Sequence, residues 1–287
     1  MPTSDDEPLP PGLALAWGLP AKTGRLGRKP SQSVEGIVEA AVRLADEEGF
    51  AALSMPNVAK RVGLSANAVY RYVSSRDELL VLAAEAAWGP APDLESGTGT
   101  GTGPEGGGGP GAGAGQETGT GAGPDRGAGP DPRAGAGRWR ASAATWTRAM
   151  IERCDTHPWL SDLPIRGAPV TPNLLRWTEV LLQALTGAGL STAESLGCAL
   201  LLDGYARRIA AARRDVRESS AAPVQSAAVS RFLQPLLREH GYPILASMMT
   251  ENEYDDEVHE DDVEFGLTRI LDGIEVLIGR RTKPGAP

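Results

Sequence analysis

The stretch SMPNVAKRVGLSANAVYRYVSSRDELL, at residues 54–80, has the pattern of two short helices joined by a tight turn. Ser54 and Ser65 each stand directly before an apolar run, where a serine hydroxyl accepts a hydrogen bond from an amide of the first helical turn. Gly63 lies between the two runs, and glycine readily takes the left-handed backbone conformation that ends a helix. The predicted helices are Met55–Val62 and Ala66–Val73.

Two further helices are predicted to enclose this pair. Ser75 is followed three residues later by Glu78, a spacing in which the two side chains cap a helix reciprocally, and the apolar run behind them extends to about Trp88. Upstream, Ser33 precedes apolar residues at helical spacing and predicts the helix Val34–Glu48. The central pair is typical of a helix-turn-helix, whose second helix lies in the major groove of DNA.

The same stretch resembles the DNA-binding signature of the TetR family of one-component regulators. The matching positions are Gly63, Tyr70, Tyr72 and Arg76. Two positions depart from the family pattern, since Val73 stands where Phe is usual and Asn67 stands where Gly is frequent. The resemblance implies that the two tyrosines contact the DNA backbone or base methyls, and that Arg76 contacts phosphate.

Further contacts to DNA are predicted from residue type and position. Asn67 has the donor and acceptor that pair with adenine, and Arg71 has the fork that pairs with guanine. The other candidates on these helices are Ser54, Lys60, Ser65 and Ala66, with Ser54 and Lys60 facing phosphate. For Tyr72, packing in the core is the alternative.

A basic segment precedes the first of these helices. Arg25, Arg28 and Lys29 lie among Gly and Pro with no acidic residue between them. Such an arm can follow the minor groove, where arginine is drawn to the negative potential. The alternative is a solvated tail that adds only salt-dependent affinity.

The 287-residue chain has a formal net charge of −9, which is unusual for a DNA-binding protein. The segment Glu251–Glu264 alone contains nine carboxylates and no Lys or Arg, which equals the whole excess. The net charge therefore carries no information about the N-terminal region. The start MPTSDDE does not have the pattern of a signal peptide, and no apolar run approaches about 18 residues. We expect a cytoplasmic protein that has no contact with a membrane.

Catalytic chemistry has little support in the sequence. The three histidines, His157, His240 and His259, do not have metal-ligand spacing, and no nucleophile–base pair is apparent. Cys154 and Cys198 fall in apolar helical patterns, which favours a structural role in the core over a redox pair. We therefore predict no enzyme activity, no catalytic residue, no metal and no cofactor.

The C-terminal half is predicted to be helical. The predicted helices run from Trp139 to about His157, from Thr171 to Gly187, from Ser191 to Arg214, from Ala227 to Glu239, from Tyr242 to Met249 and from Asp261 to Gly279. Four segments resemble the effector-binding and dimerisation domain of one TetR subgroup. They are HPWL at 157–160, GAGLSTAES at 187–195, LLDGYARR at 201–208 and EFGLTRILDGIEVLI at 264–278.

The predicted fold class is all-α, with an N-terminal three-helix helix-turn-helix domain and a C-terminal helical bundle joined by a disordered Gly-rich insert. Residues 95–137 contain no Leu, Ile, Val, Met or aromatic residue and cannot offset the entropy of ordering. The predicted division is 1–32 disordered tail with basic arm, 33–90 DNA-binding domain, 91–137 disordered insert, 138–280 effector-binding and dimerisation domain, and 281–287 disordered tail.

The resemblance also implies a small-molecule pocket and a homodimer. The candidate pocket residues are Trp146, Met150, Trp177, Leu181, Asp203, Tyr205, Arg208 and Met248. For most of them, plain packing in the core is the alternative. The candidate dimer residues are Leu196, Leu200, Val263, Leu267, Ile270, Ile274 and Leu277. For the last helix, packing of its apolar stripe within its own subunit is the alternative.

The leading hypothesis is a homodimeric repressor that a small-molecule ligand releases from a near-palindromic operator. The alternative is an activator, or a regulator controlled by a protein partner. A more distant alternative is an interaction protein that does not bind DNA.

Overall fold

A computed structural model describes residues 9–19, 32–94, 132–163, 170–218, 227–251 and 260–282. Within these ranges every element of regular secondary structure is a helix, which confirms the all-α prediction. The α-helices are α1 (Leu13–Ala16), α2 (Val34–Glu48), α3 (Met55–Arg61), α4 (Ala66–Val69), α5 (Arg76–Trp88), α6 (Pro132–Thr156), α7 (Pro172–Gly187), α8 (Thr192–Glu218), α9 (Ala227–Glu239), α10 (Pro243–Glu251) and α11 (Glu260–Thr282). Two 3-10 segments, Phe50–Ala52 and Pro158–Asp162, connect α2 to α3 and follow α6.

Helices α2 to α5 form a compact unit, here called the reading head. The Ser33 hydroxyl accepts from the Gly36 amide at 3.0 Å and begins α2, whose predicted bounds are confirmed. Ile37, Ala41 and Leu44 on one face of α2 are buried against α3 and α5. This aliphatic core holds the two short helices in place.

Helices α3 and α4 begin as predicted but end earlier. Ser54 and Ser65 cap them, and Gly63 has the expected positive φ of 69° in the turn between them. After Val69 the regular helical pattern breaks, because the Arg71 and Tyr72 amides bond to carbonyls three residues back, whereas the Val73 amide again bonds four residues back. The predicted continuation of α4 to Val73 is therefore wrong, although Val73 is fully buried.

The sequence pattern of a capping box, Ser-x-x-Glu, occurs at the start of both α5 and α8, and the two differ in outcome. At the start of α8, the Ser191 amide donates to Glu194 at 2.9 Å and the Glu194 amide donates back to the Ser191 hydroxyl at 3.4 Å. At the start of α5, the Glu78 amide donates to the Ser75 hydroxyl at 3.0 Å. The Glu78 carboxylate, however, accepts from the amide and hydroxyl of Ser74, one residue earlier than the pattern predicts.

The predicted disorder of residues 1–32 is wrong for residues 9–19. Helix α1 packs on α5, and the absence of a Cβ at Gly12 lets the backbone approach the side chain of Val81 and the Glu78 carbonyl. The Trp17 indole N–H donates to the Val170 carbonyl at 3.0 Å. Residues 1–8 and 20–31, which include the basic arm, lie outside the described residues.

The C-terminal bundle consists of α6, α7, α8 and α11. Helix α6 begins at Pro132, inside the predicted insert, and Ala91 and Leu94 at the other end of the insert pack against the core. Residues 95–131, the remainder of the insert, and 283–287, most of the predicted C-terminal tail, lie outside the described residues. Cys154 and Cys198 are buried free thiols, as predicted for core cysteines.

The reading head and the bundle share one apolar core. Trp88 at the end of α5 lies edge-on to Trp177 of α7, with ring centroids 5.7 Å apart. The backbone amide of Asn173, at the start of α7, donates to the Glu85 carboxylate at 2.7 Å. The head is therefore attached to the bundle by packed side chains and by hydrogen bonds.

Helices α9 and α10 form a hairpin in which each helix packs mainly against the other. The predicted acidic segment is described only in part, since residues 252–259 lie outside the described residues. Its last carboxylates, Glu260, Asp261 and Asp262, occupy the first turn of α11, where negative charge suits the helix dipole.

Candidate nucleic-acid interface

The predicted base-reading residues lie together on the exposed surface of the reading head. Ser65, Asn67, Tyr70 and Arg71 are all exposed, and Tyr70 keeps 49% of its surface accessible. Lys60 of α3 is also exposed. Buried Val69 and Val73 hold this surface from behind, so the polar residues project from a rigid base.

Two candidates from the same stretch face inward instead. Ala66 and Tyr72 are half-buried and pack against the head core. For Tyr72, the alternative of core packing therefore has structural support.

The two candidate serines are already engaged as helix caps. The Ser54 hydroxyl accepts from the Asn57 amide at 3.4 Å, and the Ser65 hydroxyl accepts from the Ala68 amide at 3.2 Å. A hydroxyl also has one hydrogen to donate, so a capping serine can bond a phosphate oxygen at the same time.

Arg76 is held by the head itself. Its Nε donates to the Leu53 carbonyl at 3.0 Å, and its guanidinium lies 5.7 Å from the centre of the Phe50 ring. The terminal amino groups of Arg76 are the part left to meet a phosphate. Arg61, by contrast, pairs with Glu47 and Glu48 of α2, so its charge is compensated within the head.

The aromatic residues of the predicted ligand pocket pack against one another. The Trp146 indole N–H donates to the Trp177 carbonyl at 2.7 Å, and the two rings lie edge-on at 6.1 Å. The Trp177 indole N–H donates to the Gly89 carbonyl at 3.2 Å. Met150 and Leu181 beside them are buried. In this conformation the four side chains form core rather than the wall of a cavity.

The polar residues predicted to orient a ligand are not brought together. Asp203 pairs with Arg207 at 2.9 Å, whereas Arg208 is exposed. The Tyr205 hydroxyl donates to the Val263 carbonyl at 2.8 Å, and burial raises the pKa of this phenol. Met248 is half-buried on α10. The spacing of four between Asp203 and Arg207 is the signal for a helical ion pair that sequence reasoning missed.

Two clefts lie elsewhere on the surface. One, of about 500 Å³, lies between the end of α2, the Pro158–Asp162 turn and the end of α8, and carboxylates line it on both sides. The other, of about 410 Å³, lies between α6 and α11. Neither contains a residue of the predicted pocket.

The predicted dimer residues divide into two groups. Leu196 and Leu200 on α8 are 49% and 64% exposed. Val263, Leu267 and Ile274 are buried inside their own subunit, so their assignment to the dimer interface is wrong in this structure. The reason is that α11 packs this face on α6 and α8.

The remaining predicted dimer residues, Ile270 and Leu277, are half-buried. The exposed apolar residues of α11 are instead Phe265 and Val276, which sequence reasoning missed. They are separated by three helical turns and therefore share a face.

The described residues contain neither a cluster of metal ligands nor a membrane-spanning helix. No group of three or more His, Cys, Asp or Glu residues there is arranged to hold a metal ion. No described helix is long and apolar enough to span a membrane.

Two family models match this chain. Residues 37–83 match the bacterial regulatory proteins of the tetR family, and residues 131–278 match the tetracyclin repressor-like C-terminal domain. The chain belongs to the TetR family. The first match covers most of the reading head, and the second covers the bundle and the α9–α10 hairpin, so this TetR-family protein is a DNA-binding transcriptional regulator.

Curated relatives align along nearly the whole TetR-family chain. The HTH-type transcriptional repressor DrrR1 of Streptomyces coeruleorubidus is 27% identical over 282 residues, which is 96% of this chain and 88% of that protein. An HTH-type transcriptional regulator of Saccharopolyspora erythraea is 26% identical and covers 90% of each chain. These relatives are regulators rather than enzymes.

Solved structures share the fold at lower identity. Apo ActR from Streptomyces coelicolor superposes with a TM-score of 0.60 at 21% identity, over 87% of this chain and all of ActR. ActR in complex with actinorhodin gives 0.59 at the same identity and the same coverage. At this identity the likeness establishes the fold alone.

Proposed function

We propose that this TetR-family regulator is a homodimeric repressor that leaves a near-palindromic operator when a small molecule binds. The observation that carries the proposal is the exposed set of Ser65, Asn67, Tyr70 and Arg71 on the rigid reading head. Support for repression comes from the relative named as a repressor, and support for a ligand comes from the ActR complexes.

In the proposed complex, α4 enters the major groove. Asn67 pairs with adenine and Arg71 with guanine, because their donor and acceptor patterns match these base edges. Lys60 and the terminal amino groups of Arg76 bind phosphate on either side. The arm residues Arg25, Arg28 and Lys29 follow the neighbouring minor groove and add affinity that falls with salt.

A second copy is proposed to cover the exposed apolar residues of α8 and α11. Leu196 and Leu200 lie one turn apart on α8, and Phe265 and Val276 are 67% and 56% exposed on α11. Two apolar helix faces of this kind favour a four-helix contact between copies. The dimer would place its two α4 helices one DNA turn apart, about 34–36 Å, and so requires a near-palindromic site.

The ligand is proposed to enter the bundle beside Trp146 and Trp177. These aromatic rings give a flat apolar surface, and their indole N–H groups already have carbonyl partners. A ligand there would separate the rings and move α7, which holds α5 of the reading head through Asn173 and Glu85. Release from DNA would follow from this displacement.

The test is a footprint of the purified protein on DNA upstream of its own gene. Protection of a near-palindromic site is expected for the wild type and not for Tyr70→Ala. Because Tyr70 is half exposed and lies outside the core, this variant should fold normally. No protected site there or in a selection from random genomic fragments would refute the proposal.

The sign of regulation needs a separate measurement. Transcription in vitro from the protected promoter should fall when the protein is added. A rise would favour the alternative of an activator, which the same DNA-binding surface permits.

A further inference from the structure

Asp46 lies near the end of α2 and bonds across the junction between the reading head and the bundle. Its Oδ1 accepts from the Trp159 indole N–H at 2.8 Å and lies 2.9 Å from Nδ1 of His157. Since an ionised carboxylate only accepts, the imidazole donates from Nδ1. Trp159 is 1% exposed, so this indole N–H depends on Asp46 for its partner. The head is thereby held on the Pro158–Asp162 turn.

The same turn is held from its other side by α8. Arg207 donates to the Leu160 carbonyl at 2.9 Å, and Arg214 donates to the Pro158 carbonyl at 3.1 Å and to Asp162 at 2.8 Å. Both arginine side chains are less than one-fifth exposed. Hydrogen bonds from charged groups to carbonyls are stronger than neutral ones. The turn is therefore a rigid piece between α8 and α2.

The carboxylates beside the contact of Asp46 with Trp159 repel one another, and this repulsion opposes the approach of the head to the bundle. The cleft next to it has Glu47 and Glu48 on the α2 side, and Asp162, Asp215 and Glu218 on the side of the turn and α8. Like charges repel across such a gap, and one arginine on each side, Arg61 on the head and Arg214 on α8, compensates only part of the negative charge. The hydrogen bonds to Asp46 act against this repulsion.

The negative charge of Asp46 excludes a direct role of this residue in binding DNA. A carboxylate repels phosphate, and Asp46 already has two donors on the bundle side. Its carboxylate thus acts on the orientation of the head rather than on the operator.

We infer that Asp46 is a positioning residue, which fixes the reading head at the angle set by α8 through the Pro158–Asp162 turn. The inference rests on the proposed function in one respect, because a fixed angle matters most when two heads read one operator. Its consequence is discrimination between operators that differ only in the spacing of their half-sites.

The first test varies operator spacing. Inserting one base pair between the half-sites moves them apart by about 3.4 Å and rotates them by about 35°. We expect the wild type to lose about tenfold or more in affinity, because its heads are fixed. Asp46→Ala should lose less than about threefold on the same change, because its heads adapt.

Three variants separate positioning from a general loss of structure. Asp46→Asn keeps an oxygen for the Trp159 N–H and should restore most of the spacing dependence. Arg214→Gln detaches the turn from α8 and should act like Asp46→Ala. Glu39→Ala removes the same charge from an exposed site on α2, where Glu39 pairs only with Arg43 among the described ion pairs, and should behave like the wild type.

A second test needs neither DNA nor a dimer. Spin labels at Lys60→Cys in the head and Arg208→Cys on α8, both exposed positions, report the distance between head and bundle within one chain. The native cysteines are buried and should not be labelled. Dilution with unlabelled protein leaves only distances within a chain. The distance distribution should be narrow in the wild type and Asp46→Asn, and broader in Asp46→Ala.

The two tests distinguish failure of the proposed function from failure of the inference about Asp46. If the wild type binds no operator, the proposed function fails, and the width of the distance distribution alone decides the inference. If Asp46→Ala keeps both the narrow distribution and the spacing dependence, or if Glu39→Ala loses them equally, the inference is overturned.

Discussion

The reading head and the C-terminal bundle differ in the sequence separation of the hydrogen bonds that stabilise each of them internally. In the head, four serine caps bond amides only three residues away, at Ser33, Ser54, Ser65 and Ser75. The bundle has a local cap at Ser191, but it also has bonds that join distant parts of the chain, as between Tyr205 and Val263 or between Trp146 and Trp177. The head is therefore specified by local chemistry, whereas the bundle depends on all its helices being in place.

The two regions also differ in what they bury. The head core is aliphatic, with Ile37, Leu53 and Val58 among its fully buried residues. The bundle core is rich in tryptophan, whose indole N–H groups must find carbonyls inside the protein. Stability of the bundle is consequently more sensitive to single large side chains.

The largest effect, a loss of stability, is expected from Trp177→Ala. Trp177 is 2% exposed, contacts the rings of Trp88 and Trp146, and bonds the Gly89 carbonyl. Removing such a side chain should lower the free energy of unfolding by about 3–5 kcal/mol. Urea denaturation followed by circular dichroism measures this loss. The matched control is Trp17→Ala, since Trp17 is 53% exposed, and an equal loss there would contradict the contrast between core and surface.

Arg71→Ala should weaken DNA binding without changing the fold. An arginine paired with guanine contributes about 1–3 kcal/mol of base discrimination, so the operator affinity should fall by about 5- to 150-fold. Fluorescence anisotropy with labelled operator measures the affinity, and thermal melting checks the fold. Arg43→Ala removes the same charge from the exposed surface of α2 and should lose far less. Equal losses would mean that net charge rather than the α4 surface determines binding.

Ser75→Ala tests the local character of the head. The Ser75 hydroxyl caps α5, and loss of a serine cap costs about 1 kcal/mol. Ser75→Asp also provides a capping oxygen and should retain the stability of the wild type. Urea denaturation again gives the free energy of unfolding. A loss in the aspartate variant as large as in the alanine variant would indicate that the cap is not the cause.

The smallest effect is expected from Arg148→Gln. Arg148 donates to both carboxylate oxygens of Glu264, at 2.7 and 2.8 Å, and this contact lowers the pKa of Glu264. A lowered pKa gives stability that is present above the unfolded pKa and is lost as the pH falls through the folded value. The variant should raise the pKa of Glu264 and reduce this acid dependence. Both side chains are more than a third exposed, so stability at neutral pH should change by less than about 1 kcal/mol.

This last prediction is checked by NMR titration of the Glu264 carboxyl carbon. The control is Arg269→Gln, which removes an exposed arginine of α11 that pairs with Asp272 instead. An unchanged pKa of Glu264 in Arg148→Gln would show that the pair does not form in solution.

The helices of the head were predictable because their signals are close in sequence. A cap, an apolar period and a turn glycine lie within a few residues of one another, and Val34–Glu48 was predicted to the residue. The short α4 was not predictable in the same way. The α-helical hydrogen-bond pattern breaks after Val69, and Val73 is fully buried in the core. The end of this helix is therefore set by packing rather than by local propensity.

The pairing of side chains in the bundle could not be predicted from the sequence. The tryptophans that were expected to line a pocket pack on each other, and three of the residues expected at the dimer interface are buried within the subunit. An apolar stripe on a helix predicts burial, but it does not specify whether the cover is the same chain or a second copy. The order of helices in space decides this.

By itself, the sequence determined the all-α fold, the helix-turn-helix with its exposed Asn67 and Arg71, and the membership of the TetR family. These rest on local periodicity, on caps and on a motif of adjacent residues. Only the tertiary structure decided that residues 9–19 dock on α5, that Arg207 meets the Leu160 carbonyl, and that Asp46 meets Trp159 across the junction. These contacts join residues far apart in the chain, and their distances depend on how the helices pack rather than on any pattern within one helix.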